Sequence, residues 1–226
     1  MEIVSFKKNH PKNALGYVLA VRADGETDEI FEQYVIKSSS DARLDATGLG
    51  FLRESPETNR LTKTGREAVR TLSYQYGSIA AALEKVDAQS GRSARFIDVL
   101  PVMGIIIRQV LLDYRPTELL LNALDTLAER GHLEPSLSQV AKTIAQQRPS
   151  FALDFFVAPD SRDDVRNGST GELNLEKFDD GLVYSTHTTF QYKAMLYHAG
   201  VLTTRGNDKK SDLDPNSVIW ALEDPI

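Results

Sequence analysis

The 226-residue chain contains no cysteine. Disulfide frameworks, thiol nucleophiles, zinc ribbons and iron–sulfur clusters are thereby excluded. Histidine is scarce as well: His10, His132, His187 and His198 are scattered, with no pair at metal-ligand spacing. Long hydrophobic runs are missing. The most apolar window, 96–112, carries Asp98, Pro101 and Arg108 and is too short to cross a bilayer, so no membrane partner is expected. The opening "MEIVSFKKNHPKN" lacks an apolar segment of signal-peptide length. Together with the absent cysteine, this points to a cytoplasmic protein. An excess of positive charge is lacking too: the net charge is -6 and the pI about 5.3. Overall charge therefore does not draw the chain to nucleic acid, and any such contact needs a local basic patch.

Catalytic constellations are also missing. There is no Walker loop, and "TGLGFLRE" does not satisfy the dinucleotide fingerprint or its strand–helix setting. No H-E-x-x-H or G-x-S-x-G occurs. Pro159-Asp160 is the nearest approach to a nuclease signature. Glu172, Glu176 and Lys177 follow it, but no acid stands two positions before Lys177. Without convergent carboxylates nothing holds Mg²⁺, and an ordinary polar loop is the better reading. No catalytic residue, cofactor or metal is expected, although an enzyme of unrecognised type stays open as a third class.

What is present is helix, punctuated. Residues 14–23 read as an apolar helix, and a second starts near Thr27 with Asp28 and Glu29 favourably placed in its first turn. Ser39 or Ser40 can cap a third, "DARLDATGLGFL", which Gly48 and Gly50 can end. A polar turn follows, then a short strand, "RLT", and a helix, "KTGREAVRTLSYQYG". Thr62 would cap that helix, Leu61 would plug the strand into the core, and Gly65 would allow close packing. After an alanine-rich helix and a Gly/Ser/Arg loop at 90–95, two longer helices are expected, "FIDVLPVMGIIIRQVLLDY" and "PTELLLNALDTLAERGHL". Leu119, Leu120, Ala123, Leu124 and Leu127 mark the buried face of the latter. Ser136 or Ser138 caps a further helix with Val140, Ala141, Ile144 and Ala145 inward. Some thirty residues later Ser185 or Thr186 caps another, which ends at Ala199-Gly200. There Val201-Leu202-Thr203 begins a strand and "SVIWAL" returns.

The order helix, helix, turn, helix, strand, helix over about residues 14–75 resembles a winged-helix domain, a helix-turn-helix with an attached β-hairpin. "GFLRESPETNRLTKTGREAV" is its most specific piece, and "AGVLTTRGNDKKSDLDPNSVIWAL" repeats the step near the other end. The resemblance implies an α+β, mainly α fold of tandem winged-helix-like modules joined by a helical middle region. One module would span 1–90. Residues 91–226 would hold the helical linker and a second module with an insertion near 150–184. It also implies double-stranded DNA binding without chemistry. In the first module Ser39, Ser40 and Arg43, with Asp45 and Thr47, lie on the candidate recognition helix, where base edges are read. Arg53, Arg60, Lys63 and Arg66 surround the wing, where phosphates are met.

In the second module Thr186, His187, Thr188, Thr189, Gln191 and Lys193, with Tyr192, cluster at a helix start. Arg205, Lys209 and Lys210 decorate its wing. Residues 114–226 hold 11 basic and 17 acidic residues, yet 185–210 hold four basic against one acidic. Such segregation is what a binding patch needs, although a solvated face has the same composition. Tyr192, Tyr197 and Trp220 read as core. Expected partners are DNA, a second copy through the 96–130 helices, or the subunits of a larger complex. The biological setting would be transcription regulation, or the DNA-recognition or accessory component of a restriction or antiviral system. A protein-interaction adaptor is the alternative. Arg66 and Lys193 are both expected to be exposed.

Overall fold

The structure, a computed structural model, describes residues 6, 11–23, 27–34, 40–53, 60–88, 95–166, 172–203 and 220–222. Among these the protein is mainly helical with a single two-stranded sheet, in line with the expected mainly α class. No described helix is long and apolar enough to cross a membrane. The chain divides into two compact units. One consists of Ser5–Leu111 and His198–Gly200, the other of Met1–Val4, Leu112–Tyr197 and Val201–Ile226. That division falls at 111/112, while the sequence suggested 90/91. The loop at 90–94 lies outside the described residues.

The first unit is built around α1 (Lys12–Ala20), whose residues Ala14 to Ala20 are all buried. Such a helix, apolar on every side, belongs in a core. Against it pack α3 (Ser40–Gly48) and α5 (Ile79–Asp87), with α2 (Thr27–Gln33) and α4 (Lys63–Tyr76) completing the layer. The start of α4 follows the sequence closely. The Thr62 hydroxyl accepts from the Gly65 amide at 3.0 Å and donates to the Gly50 carbonyl. One side chain thus caps the helix and ties it to the end of α3.

The apolar run at 96–112 is not one helix. It breaks into α6 (Phe96–Val99) and α7 (Pro101–Leu112), with Leu100 at φ -133°, ψ 71° between them. Pro101 is the cause, because its ring excludes the helical conformation for the residue before it and removes an amide donor. Within this unit the Phe96 amide donates to Nδ1 of His198 at 3.3 Å. His198 is buried, and that burial pushes its imidazole down to about 4.

In the second unit α8 (Arg115–Glu129) buries Leu120, Ala123, Leu124 and Leu127, as expected, while Leu119 is half-buried. α9 (Leu137–Gln147) begins with a reciprocal cap. Ser136 Oγ accepts from the Gln139 amide, and the Gln139 side chain accepts from the Ser136 amide. Val140, Ala141, Ile144 and Ala145 face inward as the spacing required. The segment read as an insertion near 150–184 carries structure of its own: α10 (Pro149–Phe156), the short α11 (Arg162–Val165) and 3-10 turns at Leu175–Asp179 and Gly181–Val183. Phe155 lies at the centre of this core. It stacks on Phe151 at 5.2 Å and meets Phe156 and Tyr192 edge-on at 4.9 and 5.3 Å.

The 3-10 turn Leu175–Asp179 is clamped to α9 by polar contacts. Asp179 accepts from Lys142 Nζ at 2.7 Å and from Ser138 Oγ at 2.6 Å, and these bonds, Lys142 first, hold its carboxyl below the usual range. Asp179 is exposed and Lys142 half-buried, so Lys142→Met should cost about 1 kcal/mol or less at neutral pH. The cost should vanish in acid. A carboxylate with a depressed folded-state pKa stabilises above its unfolded value and loses that contribution as the pH falls through the folded one. Urea unfolding of both proteins at neutral pH and well below the carboxylate range checks this; an undiminished difference in acid would mean packing, not charge.

Candidate nucleic-acid interface

In the first unit the sequence-predicted residues come together on one hairpin and its flanking helices. The Leu49–Gly50 turn ends α3, with Gly50 at φ 72°, and Phe51 and Leu52 start the outgoing strand. Leu52 bridges Leu61 in antiparallel register, the Arg53 amide donates to the Arg60 carbonyl at 2.9 Å, and the Thr62 amide donates to the Phe51 carbonyl at 2.9 Å. Successive side chains of a strand point to opposite faces. Phe51 and Leu52 are buried and Leu61 is half-buried, while Arg53 and Arg60 stand directly opposite each other and exposed. Like charges at directly opposed strand positions repel and destabilise the pair. Close by, Lys63 and Arg66 are exposed at the start of α4. Lys63 makes a loose 3.8 Å ion pair with Glu67, and Arg66 Nη1 donates to the Leu61 carbonyl at 2.9 Å. The hairpin tip, 54–59, lies outside the described residues.

On α3, Ser40 and Leu44 are exposed and Arg43 and Thr47 half-buried, an outward stripe at helical spacing. Asp45 is a correction: it is fully buried and cannot face a ligand in solvent. Ser39 lies outside the described residues.

In the second unit the expected cluster does not form an exposed surface. Ser185 caps a π-turn, Thr186–Phe190, by accepting from the Thr188 amide, and α12 (Gln191–His198) continues from it. Thr188 and Thr189 both donate their hydroxyls to the Phe155 carbonyl, at 2.5 and 2.9 Å, and the Ser185 amide donates to the Phe156 carbonyl at 2.8 Å. Thr189 is fully buried and Lys193 is 7% exposed, so the expectation of an exposed Lys193 is overturned. Thr186 is exposed and Gln191 half-buried. Tyr192 is fully buried, its hydroxyl 2.6 Å from Thr117 Oγ1, and burial raises its pKa. Of His187 only the backbone lies among the described parts, and Arg205, Lys209 and Lys210 lie outside them.

No protein-family model, curated protein or solved structure matches this chain. Its function therefore has to be read from its own residues. Among the described residues, no three His, Asp or Glu side chains gather where a metal ion could be held. Sequence reasoning missed Leu44, half exposed on α3. Its position one residue after Arg43, on the side of the helix away from Asp45 and Ala46, was the available signal.

Proposed function

We propose that the protein is a non-catalytic double-stranded DNA-binding protein of the winged-helix kind, serving transcription regulation or a restriction or antiviral system. The observation that carries this reading is the exposed Arg53/Arg60 pair, opposed across a hairpin that follows a helix whose outward stripe holds Ser40, Arg43, Leu44 and Thr47. Two arginines at opposed strand positions gain from an anion beside them, and Arg matches phosphate with two parallel hydrogen bonds. The helix-then-hairpin order supports the same reading. It recurs in the second unit, where α12 ends at Gly200 (φ 67°) and β1 (Leu202–Thr203) pairs antiparallel with β2 (Ala221–Leu222). The Trp220 amide adds a bond to the Pro135 carbonyl, just before α9, as in a winged helix whose third strand precedes the second helix.

A second reading, an adaptor in a multi-subunit complex, is favoured by two leucines of the second unit. Leu182 is 88% and Leu133 74% exposed, and acids such as Asp180 and Glu176 flank Leu182 in sequence. The test is a fluorescence-anisotropy titration of the whole protein with a random 30-base-pair duplex at low and moderate salt. Binding that weakens steeply with salt is expected, because it marks release of counterions from neutralised phosphates. No binding at low salt would discard the reading as a general duplex binder and turn attention to Leu182 and Leu133.

A further inference from the structure

We infer that the Thr186–Phe190 turn that opens α12, despite its run of hydroxyls, is a structural clasp and not the start of a reading helix, and that among the described residues the duplex is met by the hairpin face of the first unit. This inference rests on the DNA-binding proposal above. A helix that reads the major groove presents its N-terminal residues to base edges, which requires those side chains to be free. In the second unit Thr188 and Thr189 are committed. The last carbonyls of a helix have no partner within it. Those of α10 at Phe155 and Phe156 are met by Thr188 Oγ1, Thr189 Oγ1 and the Ser185 amide. A bridge between Val157 and Tyr184 and a bond from the Ala158 amide to the Val183 carbonyl, 2.7 Å, fasten the same joint from the side. Thr189 is buried in this joint, and Lys193, four residues further on, is buried as well. The chain leading into it exposes carboxylates, at Glu176, Asp179 and Asp180, which repel phosphate. Two threonines that look in sequence like part of a base-reading set are thus accounted for by the end of one helix being sewn to the start of another.

The first unit contrasts in exposure. Its α3 turns Ser40 and Leu44 outward, and Arg53, Arg60, Lys63 and Arg66 are exposed beside it. Four cations set the scale of the electrostatic footprint. At about 0.9 per neutralised phosphate, the slope of log affinity against log salt should be roughly -4.

The experiment is the duplex titration across a salt series, with the full chain and two variants. Arg53→Gln with Arg60→Gln should weaken binding at least tenfold and bring the slope to roughly -2. Thr186→Ala with Gln191→Ala, an exposed and a half-buried position of the stretch that opens α12, should leave affinity within twofold of the wild type. A tenfold loss in this variant overturns the inference while leaving DNA binding intact. A wild type that binds no duplex removes the DNA reading itself and this inference with it. Circular dichroism of each variant establishes that the fold is unchanged, so a loss of affinity is read as a loss of contact.

Discussion

Gly65→Ala should destabilise the protein by about 2–3 kcal/mol, although alanine is the better helix former. In an exposed helix interior the exchange is favourable by up to about 1 kcal/mol. Here a Cβ at position 65 would lie 2.1 Å from the carbonyl oxygen of Phe51 and 3.0 Å from its carbon. Both are backbone atoms in a strand whose register is fixed by the Thr62–Phe51 and Arg53–Arg60 bonds, so no side-chain rotation relieves the clash. Either α4 lifts away from the hairpin or the hairpin shifts. Both responses loosen the Thr62 cap, and small-to-large changes in tight packing cost about 1–3 kcal/mol. For a unit of this size that corresponds to a fall in Tm of roughly 10–20 °C. Thermal unfolding followed by far-ultraviolet circular dichroism measures it. A Tm at or above the wild-type value would show that α4 does not press on Phe51, and the position of the Arg53/Arg60 pair would need rethinking. Arg66→Ala, at an exposed position of the same turn, serves as the control and should change Tm little.

The second large effect is a loss of stability between about pH 6.5 and pH 4. His198 is buried with Nδ1 accepting the Phe96 amide at the start of α6, an arrangement that requires the neutral ring. Burial lowers its pKa to about 4 from an ordinary value of 6.5. The unfolded chain therefore takes up a proton at this residue over a range where the folded chain does not. The stability present above the unfolded value is lost as the pH falls through the folded one. At one proton the steepest slope is about 1.4 kcal/mol per pH step, which gives a total of about 3 kcal/mol. His198→Asn keeps an acceptor near the Nδ1 position but does not titrate. Its urea-unfolding free energy should run nearly parallel to the pH axis over this window once the other three histidines, shared by both proteins, are subtracted. A variant whose profile still tracks the wild type would place the acid sensitivity elsewhere.

Local signals were legible and distant ones were not. The hairpin of the first unit follows from neighbours: a glycine that ends α3, a threonine three residues ahead of the amide it caps, and a glycine where α4 meets the strand. In the second unit the helix starts at Pro116, Ser136 and Ser185 were equally readable, and the Ser136–Gln139 cap is a four-residue pattern. Pro101 was visible, but the continuous apolar run of 96–112 outweighed it, and the break into α6 and α7 went unread. The α12 cluster failed for a different reason. Whether a threonine faces solvent or a carbonyl depends on Phe155, more than thirty positions earlier, and on the chain path between them. Composition cannot separate a hydroxyl that reads a base from one that closes a helix end. Asp45 misled in the same way, since periodicity on α3 alone assigns the inward face only once Ala42 and Ala46 are seen to be buried with it.

The return of His198–Gly200 to the first unit has a consequence for how the protein is made. A ribosome that has delivered Leu111 has not yet delivered the imidazole that accepts the Phe96 amide, nor Gly200, which lies against Ile97. Roughly 90 further residues must emerge first, and at ordinary elongation rates that takes roughly 5–20 s. During that interval the nascent first unit waits with its α6 edge unfinished, and its last contacts arrive only after nearly all of the second unit's helices have left the exit tunnel. Synonymous codon choice between 112 and 200 therefore bears on the yield of a unit whose own codons, for the most part, lie upstream.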